Sequence, residues 1–321
     1  MNDTMVAETF VPPQDIATPP PSCTRVLEAE VEALDDSRWT FTLDSHVNSA
    51  LVFARSPNNE LVAVDGLVVE DQTWVETGWH TGDGAALYLR CCVRIAAWPG
   101  MALASLPSNP LREVPAGRWT VTLGDKLEAP TVHVRYGEPE GTLKLPVVLH
   151  RPIAEPAVEV SAYVDEASAV LSEAADITID VIEVLEHSFS ELGASTLGDF
   201  PAALLDERKA VHVVLVPSLE GGIRGLSPVG GPLVGGTVLL AYQPGGNPRT
   251  LAHELSHFLG LWHLTEAVQS DIHDPLPDTP HYDSENLMSA MPDGGTSLTQ
   301  QQAELVRRHP LLQGAENVCA K

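Results

Sequence analysis

Between Thr250 and His263 the chain carries H-E-x-x-H-x-x-G-x-x-H. Five positions of that pattern are specified. At a usage of about 5% each, a match somewhere in a chain this long has a chance probability on the order of 10⁻⁴. The spacing has a chemical reading. On a helix, His253 and His257 stand one turn apart on the same face, where two neutral imidazoles can grip one ion. Glu254 points roughly 100° away around the helix. It can lie beside the metal and hold a water at an open coordination position. Gly260 permits a backbone turn that a residue with a β-carbon resists, and the turn brings His263 in as a third ligand. Three protein ligands plus a water make a catalytic zinc site, whereas structural sites close all four positions. Bound zinc would lower the pKa of that water and polarise a carbonyl, with Glu254 taking and returning the proton.

A plain amphipathic core helix accounts for Leu251, Leu255, Phe258 and Leu259. It leaves the histidine–glutamate face without a purpose.

The elements that must position this helix are spread over 321 residues, enough for two domains of ordinary size. The composition is globular, with 44% hydrophobic and 19% charged residues. Lys and Arg number 18 against 44 Asp and Glu, a net charge of -26 that disfavours nucleic acid and anionic membranes as partners. No apolar run reaches the length of a membrane span. Met1 to Ser22 has neither the basic nor the apolar region of a signal peptide, and none is expected there. Cys23, Cys91, Cys92 and Cys319 have no zinc-type spacing and form no dense disulfide framework.

Residues 1–23, rich in proline, read as an extended tail. From 24 to 152, short alternating segments such as Arg38–Leu43 and Arg118–Leu123 are broken by turn signals and predict an antiparallel β-sandwich. Further strands are expected at 49–56, 61–69, 86–98, 131–136 and 142–149. Its closing strands resemble, loosely, the jelly-roll modules found beside secreted proteases. His46, His80, His133 and His150 are scattered, and no chemistry is assigned to them. Residues 151–156 read as a stiff linker, and 153–321 as an α/β catalytic domain. There a strand is expected at 158–164 and a helix at 165–175. Residues 177–185 fit a helical stripe and also a β-branched strand; the reading leans to a long helix. Strands follow at 211–217 and 237–242, with the glycine-rich stretch 221–236 between them as a surface loop beside the cleft. Asn247 and Pro248 supply start signals for the metal helix. Thr299 and Gln302 are spaced as a capping box for a last helix.

Downstream of the metal motif come Asp274-Pro275-Leu276-Pro277-Asp278-Thr279-Pro280 and Asn286-Leu287-Met288. In this order the three segments resemble the pappalysin branch of the metzincin metallopeptidases, over about residues 211–312 and most specifically over 250–290. The resemblance implies a C-terminal metzincin-like domain in which His253, His257 and His263 bind zinc. Glu254 would be the catalytic base and acid, and Met288 the Met-turn residue beneath the metal. Family members often place a tyrosine two residues after that methionine, to stabilise the transition state; here the position is Ala290, and Tyr282 is the candidate substitute. The cysteines that commonly brace this loop are absent from 280–285. Relatives also suggest calcium, for which Asp271, Asp274, Asp278 and Asp283 offer oxygen donors, chiefly Asp274 and Asp278; a solvated acidic loop is the other reading.

The expected activity is therefore zinc-dependent hydrolysis of peptide bonds in a protein or peptide substrate, and the resemblance implies a secreted or cell-surface location. The alternative is a zinc-binding protein of little turnover that acts through its β-domain. A structural adhesin with a vestigial helix is the third reading, and it predicts no zinc.

Overall fold

The computed structural model describes residues 24–56, 61–75, 87–90, 93–124, 127–153, 157–188, 208–242, 247–265, 274, 276–290 and 294–314. The proline-rich tail, the four cysteines, His80 and Asp271 lie outside the described residues, as does half of the expected linker, at 154–156.

The first half is built from short strands. They are β1 Arg25–Ala29, β2 Glu32–Ala33, β3 Arg38–Leu43, β4 Val47–Arg55, β5 Leu61–Val62 and β6 Val64–Val69. After these come β7 Gln72–Val75, β8 Leu87–Arg90, β9 Val93–Pro99, β10 Met101–Leu106, β11 Gly117–Leu123 and β12 Thr131–Tyr136. They form a seven-stranded sheet, β1-β12-β4-β10-β9-β5 with β8 on β9, and a five-stranded sheet, β2-β3-β11-β6-β7. All their pairings are antiparallel. Trp39, Phe41, Trp119 and Val121 of the small sheet share one core with Val52, Ala54, Ile95 and Ala104 of the large one. The alternation read from the sequence is thus a sandwich, with apolar residues turned in between its two sheets.

The second half has a different logic. Strand β13 (Leu143–Pro152) leads through helix α1 (Ala157–Ala175) to β14 (Ile177–His187), which pairs parallel with it. Strand β15 (Val211–Val216), the two-residue β16 (Gly225–Leu226) and β17 (Gly236–Ala241) complete a third sheet, ordered β14-β13-β15-β17-β16. Its pairings are parallel except that of β16, which runs antiparallel at the edge. Helices α2 (Arg249–Phe258) and α3 (Gln300–Arg307) follow. Among the described residues no helix is long and apolar enough to cross a membrane.

Three expectations are corrected. The strand at 142–149 belongs to this third sheet, where it is flanked by β14 and β15, so the second half starts near residue 143 and not at 153. Residues 158–164 are helical. Val160, Val164, Ala167, Leu171 and Ala175 recur at helical spacing and are all buried in the core beneath α2. Residues 177–187 form a strand rather than a helix. A parallel partner at β13 satisfies their backbone, and the β-branched side chains fit a pleated surface better than a helical one. The helical stripe there was coincidence.

The sheet's two faces differ. Leu145, Val147 and Leu149 of β13 face the helices. On the opposite face His150, His187 and His212 form a hydrogen-bonded row across three adjacent strands. His150 Nδ1 lies 3.0 Å from His187 Nε2, and His150 Nε2 lies 2.9 Å from His212 Nδ1. Contacts of this length, using both nitrogens of the central ring, suit shared protons rather than an ion between them. Burial, then the neighbouring His212 and His187 and Arg208, hold His150 down at about 3.

This has a pH consequence. As pH falls through about 6.5 the unfolded chain takes up a proton at His150, while the folded chain refuses it until about 3. Stability is present above that window and lost within it, by up to ~1.4 kcal/mol per pH unit for one proton. His150→Gln, which keeps a donor and an acceptor but does not titrate, should flatten the fall in unfolding free energy between pH 6.5 and 4 by about one proton. Urea melts across that range test this, and an unchanged slope excludes His150 as the source.

Candidate metal centre

Helix α2 lies almost wholly inside the protein. Leu251, Ala252, Leu255 and Phe258 join the core against α1 and the third sheet, and His253, Glu254 and His257 are buried too. Its start agrees with the sequence to within a residue: Asn247 Oδ1 accepts from the Arg249 amide at 3.0 Å, with Pro248 at the cap position. Its end is a Schellman turn. The Leu261 amide donates to the Ser256 carbonyl at 3.0 Å and the Gly260 amide to His257 at 2.8 Å. Gly260 has φ +110, which a side chain would strain. That turn reverses the chain and returns His263 to the helix.

The glycine-rich stretch does not behave as a surface loop. Residues 227–236 are mostly buried. The amides of Gly230 and Gly231 donate to the carbonyls of His257 and Phe258 at 3.0 and 2.7 Å, satisfying orphan acceptors at the helix end. A β-carbon on Gly231 would sit 2.1 Å from the Phe258 ring. The glycines are there for close packing. Only 220–224, around a short 3₁₀ turn, is exposed as expected.

His253, His257 and His263 meet with their Nε2 atoms 3.1 Å apart in all three pairs. Among the described residues this is the cluster whose donors could hold a metal ion. The second nitrogens fix the tautomers. His253 Nδ1 donates to the Leu287 carbonyl at 2.7 Å, and His257 Nδ1 to the Leu261 carbonyl at 2.8 Å. A carbonyl only accepts, so both Nδ1 atoms carry the proton and both Nε2 atoms present lone pairs. Burial, then the charge of His263, holds His253 at about 3 and His257 well below its ordinary value, which keeps both rings neutral. Converging lone pairs repel one another unless a cation lies between them. For metal–nitrogen bonds of about 2.0–2.1 Å, a tetrahedral site has nitrogens about 3.3–3.4 Å apart. The observed spacing fits such an ion, and the all-imidazole donor set suits zinc and its neighbours among transition metals.

Glu254 is 7% exposed. Burial pushes its carboxyl up to about 8, and Arg249 draws it part of the way back. It packs against β16 so closely that a β-carbon on Gly225 would fall 2.4 Å from Glu254 Cγ.

The turn at 286–289 supports the helix from the other side. Arg249 donates to the carbonyls of Leu287, Ser289 and Gly295 at 2.9, 3.0 and 2.8 Å. Asn286 Oδ1 accepts from the Met288 amide at 2.8 Å, and Asn286 Nδ2 donates to Gln302 Oε1 at 2.8 Å. Gln302 also closes the capping box with Thr299, as its spacing predicts. Met288 is fully buried in the core shared with α2. The Leu287 carbonyl and Arg249, which hold His253 and this turn, were not singled out from sequence. Backbone acceptors leave no residue-type signal, although an arginine at the start of a buried helix is one.

Other predicted residues are placed differently. Tyr282 is 74% exposed. Asp274 is 1% exposed and pairs with Arg94 of β9 at 3.2 Å. Asp278 accepts from Thr299 Oγ1 at 3.0 Å and from the Gln301 amide at 2.9 Å, at the start of α3. Both candidate calcium ligands thus bond to protein donors. Asp283 Oδ1 accepts from the Glu285 amide at 2.9 Å, closing a local turn.

No family model and no curated protein matches the chain. Solved structures with some likeness include a chaperone–substrate complex, at 12% identity and a TM-score of 0.30, covering 58% of this chain and 35% of that one. Another is the Bacillus subtilis protein YxiM, at 7% identity and a TM-score of 0.16, covering 60% and 53%. A third is the salicylyl-acyltransferase SsfX3 of a tetracycline biosynthetic pathway, at 10% identity and a TM-score of 0.13, covering 64% and 61%. This chain therefore spans less than two thirds of each. Likeness at this level assigns neither fold nor chemistry.

Gly260→Ala should destabilise the protein by about 1–2 kcal/mol through its positive φ and weaken binding of a divalent ion, because the same turn delivers His263. Urea melts and metal titration of the variant test both; an unstrained variant with parental affinity would remove the turn from the account.

Proposed function

We propose that the chain is a zinc-dependent endopeptidase of metzincin type, similar to the pappalysin branch. One observation carries the reading. Three imidazole Nε2 atoms converge at 3.1 Å, and the residue beside the first of them on the same helix is a buried glutamate whose ordinary acidity burial has suppressed. Three histidine ligands leave a fourth position for water, and hydrolysis needs a proton acceptor close to that water. Peptide as the substrate is supported by β16, which among the described residues has a single strand neighbour and lies against Glu254 through Gly225. An extended peptide can add to such an edge with its backbone in hydrogen-bonding register.

His253, His257 and His263 would hold the ion, with the carbonyls of Leu287 and Leu261 keeping the first two rings in orientation. Zinc bound there would lower the pKa of an attacking water and polarise the scissile carbonyl. Glu254 accepts the proton of that water and delivers it to the leaving amine nitrogen. Burial raises the Glu254 carboxyl, and a cation bound at the histidines would draw it back towards the ionised form a base needs. Gly225, by its lack of a side chain, leaves Glu254 room to act.

The second reading, a metal-binding protein of little turnover, is favoured by Ala290 at the family's tyrosine position and by the exposure of Tyr282. Cleavage of a peptide library with and without a chelator separates the two: chelator-sensitive cleavage supports the peptidase, and its absence in the metal-loaded protein supports the binder. Under the peptidase reading Glu254→Gln retains one equivalent of metal and loses at least ~100-fold in kcat. Parental turnover by that variant would refute the assigned role. Gly225→Ala should likewise keep its metal and lose turnover, by pushing the carboxylate aside.

A further inference from the structure

We infer that Arg94, supplied by the N-terminal sandwich, is a positioning residue for the metal centre, tying both ends of the turn that carries its third histidine. The inference rests on the triad being a metal centre.

The observations are geometric. Arg94 sits in β9 and is 2% exposed, with its guanidinium driven into the second half of the chain. Nη1 donates to the carbonyl of Gly260, where the turn begins. Nη2 reaches Asp274 Oδ1 at 3.2 Å, and the Asp274 amide donates to the carbonyl of Leu264 at 3.2 Å. Leu264 is where the turn ends, and its own amide donates to Met288 at 3.1 Å. His263 therefore hangs from a five-residue arc whose first carbonyl is bound to Arg94 and whose last is bound to the partner of Arg94. The arc also contains Leu261, whose carbonyl orients His257. Nε and Nη2 donate to the Ser108 carbonyl at 3.3 and 3.1 Å, which anchors the guanidinium to its own sheet.

An arginine suits this work because its planar fork can serve Gly260, Ser108 and Asp274 at once, which an ammonium group cannot. A buried pair satisfied on this many sides also locks geometry rather than merely filling space. The sandwich is then a working part of the site, held in place for as long as the site is intact. A propeptide, which leaves when the enzyme matures, would take the support of His263 with it.

The test compares variants of the full chain by Zn²⁺ affinity, measured in competition with a chromophoric chelator, and by the visible spectrum of the Co²⁺-loaded protein. Arg94→Met combined with Asp274→Asn removes the buried pair without stranding either charge. Arg94→Lys keeps a cation opposite Asp274 while losing the fork, and serves should the double variant not fold. The control is Arg135→Met. Arg135 is an equally buried arginine of the sandwich that crosses to the carbonyls of His309 and Leu312 rather than to that of Gly260. At least a tenfold loss of Zn²⁺ affinity with altered Co²⁺ bands in the Arg94 variants, and neither in Arg135→Met, supports the inference. Parental affinity and spectrum in a folded Arg94 variant overturn it. An equal loss in Arg135→Met overturns it too, since the effect is then general loosening of the interface. A parent chain that binds neither Zn²⁺ nor Co²⁺ overturns the metal-centre reading and the inference with it, whereas a parent that binds metal without cleaving peptide leaves only the peptidase reading refuted.

Discussion

Three imidazole Nε2 atoms held 3.1 Å from one another are a crowded arrangement that the rest of the structure must enforce. Enforcement here is done mainly by backbone. Two of the rings are turned by carbonyls that accept their Nδ1 protons, one from Leu287 and one from Leu261. Those carbonyls belong to turns, and turns are held by what surrounds them: Arg249 and Asn286 for the first, the Schellman glycine and Arg94 for the second. The histidine cluster is thus the meeting point of a helix and two turns held by groups outside the cluster.

The packing of α2 follows from the same need. A helix bearing two histidines and a glutamate would ordinarily show those groups to water, yet nearly all of its side chains are buried. Burial serves the chemistry by keeping His253 and His257 neutral and by raising Glu254 towards neutral pH. It also requires every neighbour to come close. Glycines at 225, 231 and 236 admit Glu254 and Phe258 where any side chain would collide. The glycine-rich stretch is the counterpart of the helix, shaped to receive it.

The two halves of the chain are joined through buried cations rather than apolar surface alone. Arg94 and Arg135 leave the large sandwich sheet and end on carbonyls of the second half, and Leu51 of β4 joins the core under α2. Each buried guanidinium bonds to backbone acceptors or a carboxylate, which offsets its desolvation and makes the docking geometry specific. Two histidine clusters then lie on opposite sides of one sheet and differ in kind. In the triad, three nitrogens converge. In the row of His187, His150 and His212, nitrogens meet in pairs at hydrogen-bond length.

By itself the sequence marked out the three histidines that meet, the glutamate on the same helix, the glycine that turns the chain, the capping box at Thr299 and the sandwich-like alternation of the first half. Each is a local pattern, set by spacing along one helix, strand or turn, and such patterns survive without knowledge of what packs against them. Tertiary structure alone decided that residues 177–187 are a strand, because a partner at β13 outweighs an accidental helical stripe. It also decided that β13 belongs to the second half, that most of the glycine-rich stretch is buried, and that Asp274 answers to an arginine 180 residues earlier in the chain. Those outcomes depend on pairings between distant segments. Arg94 carries no mark in its own neighbourhood of the turn it supports, and only the docked sheets bring the two together.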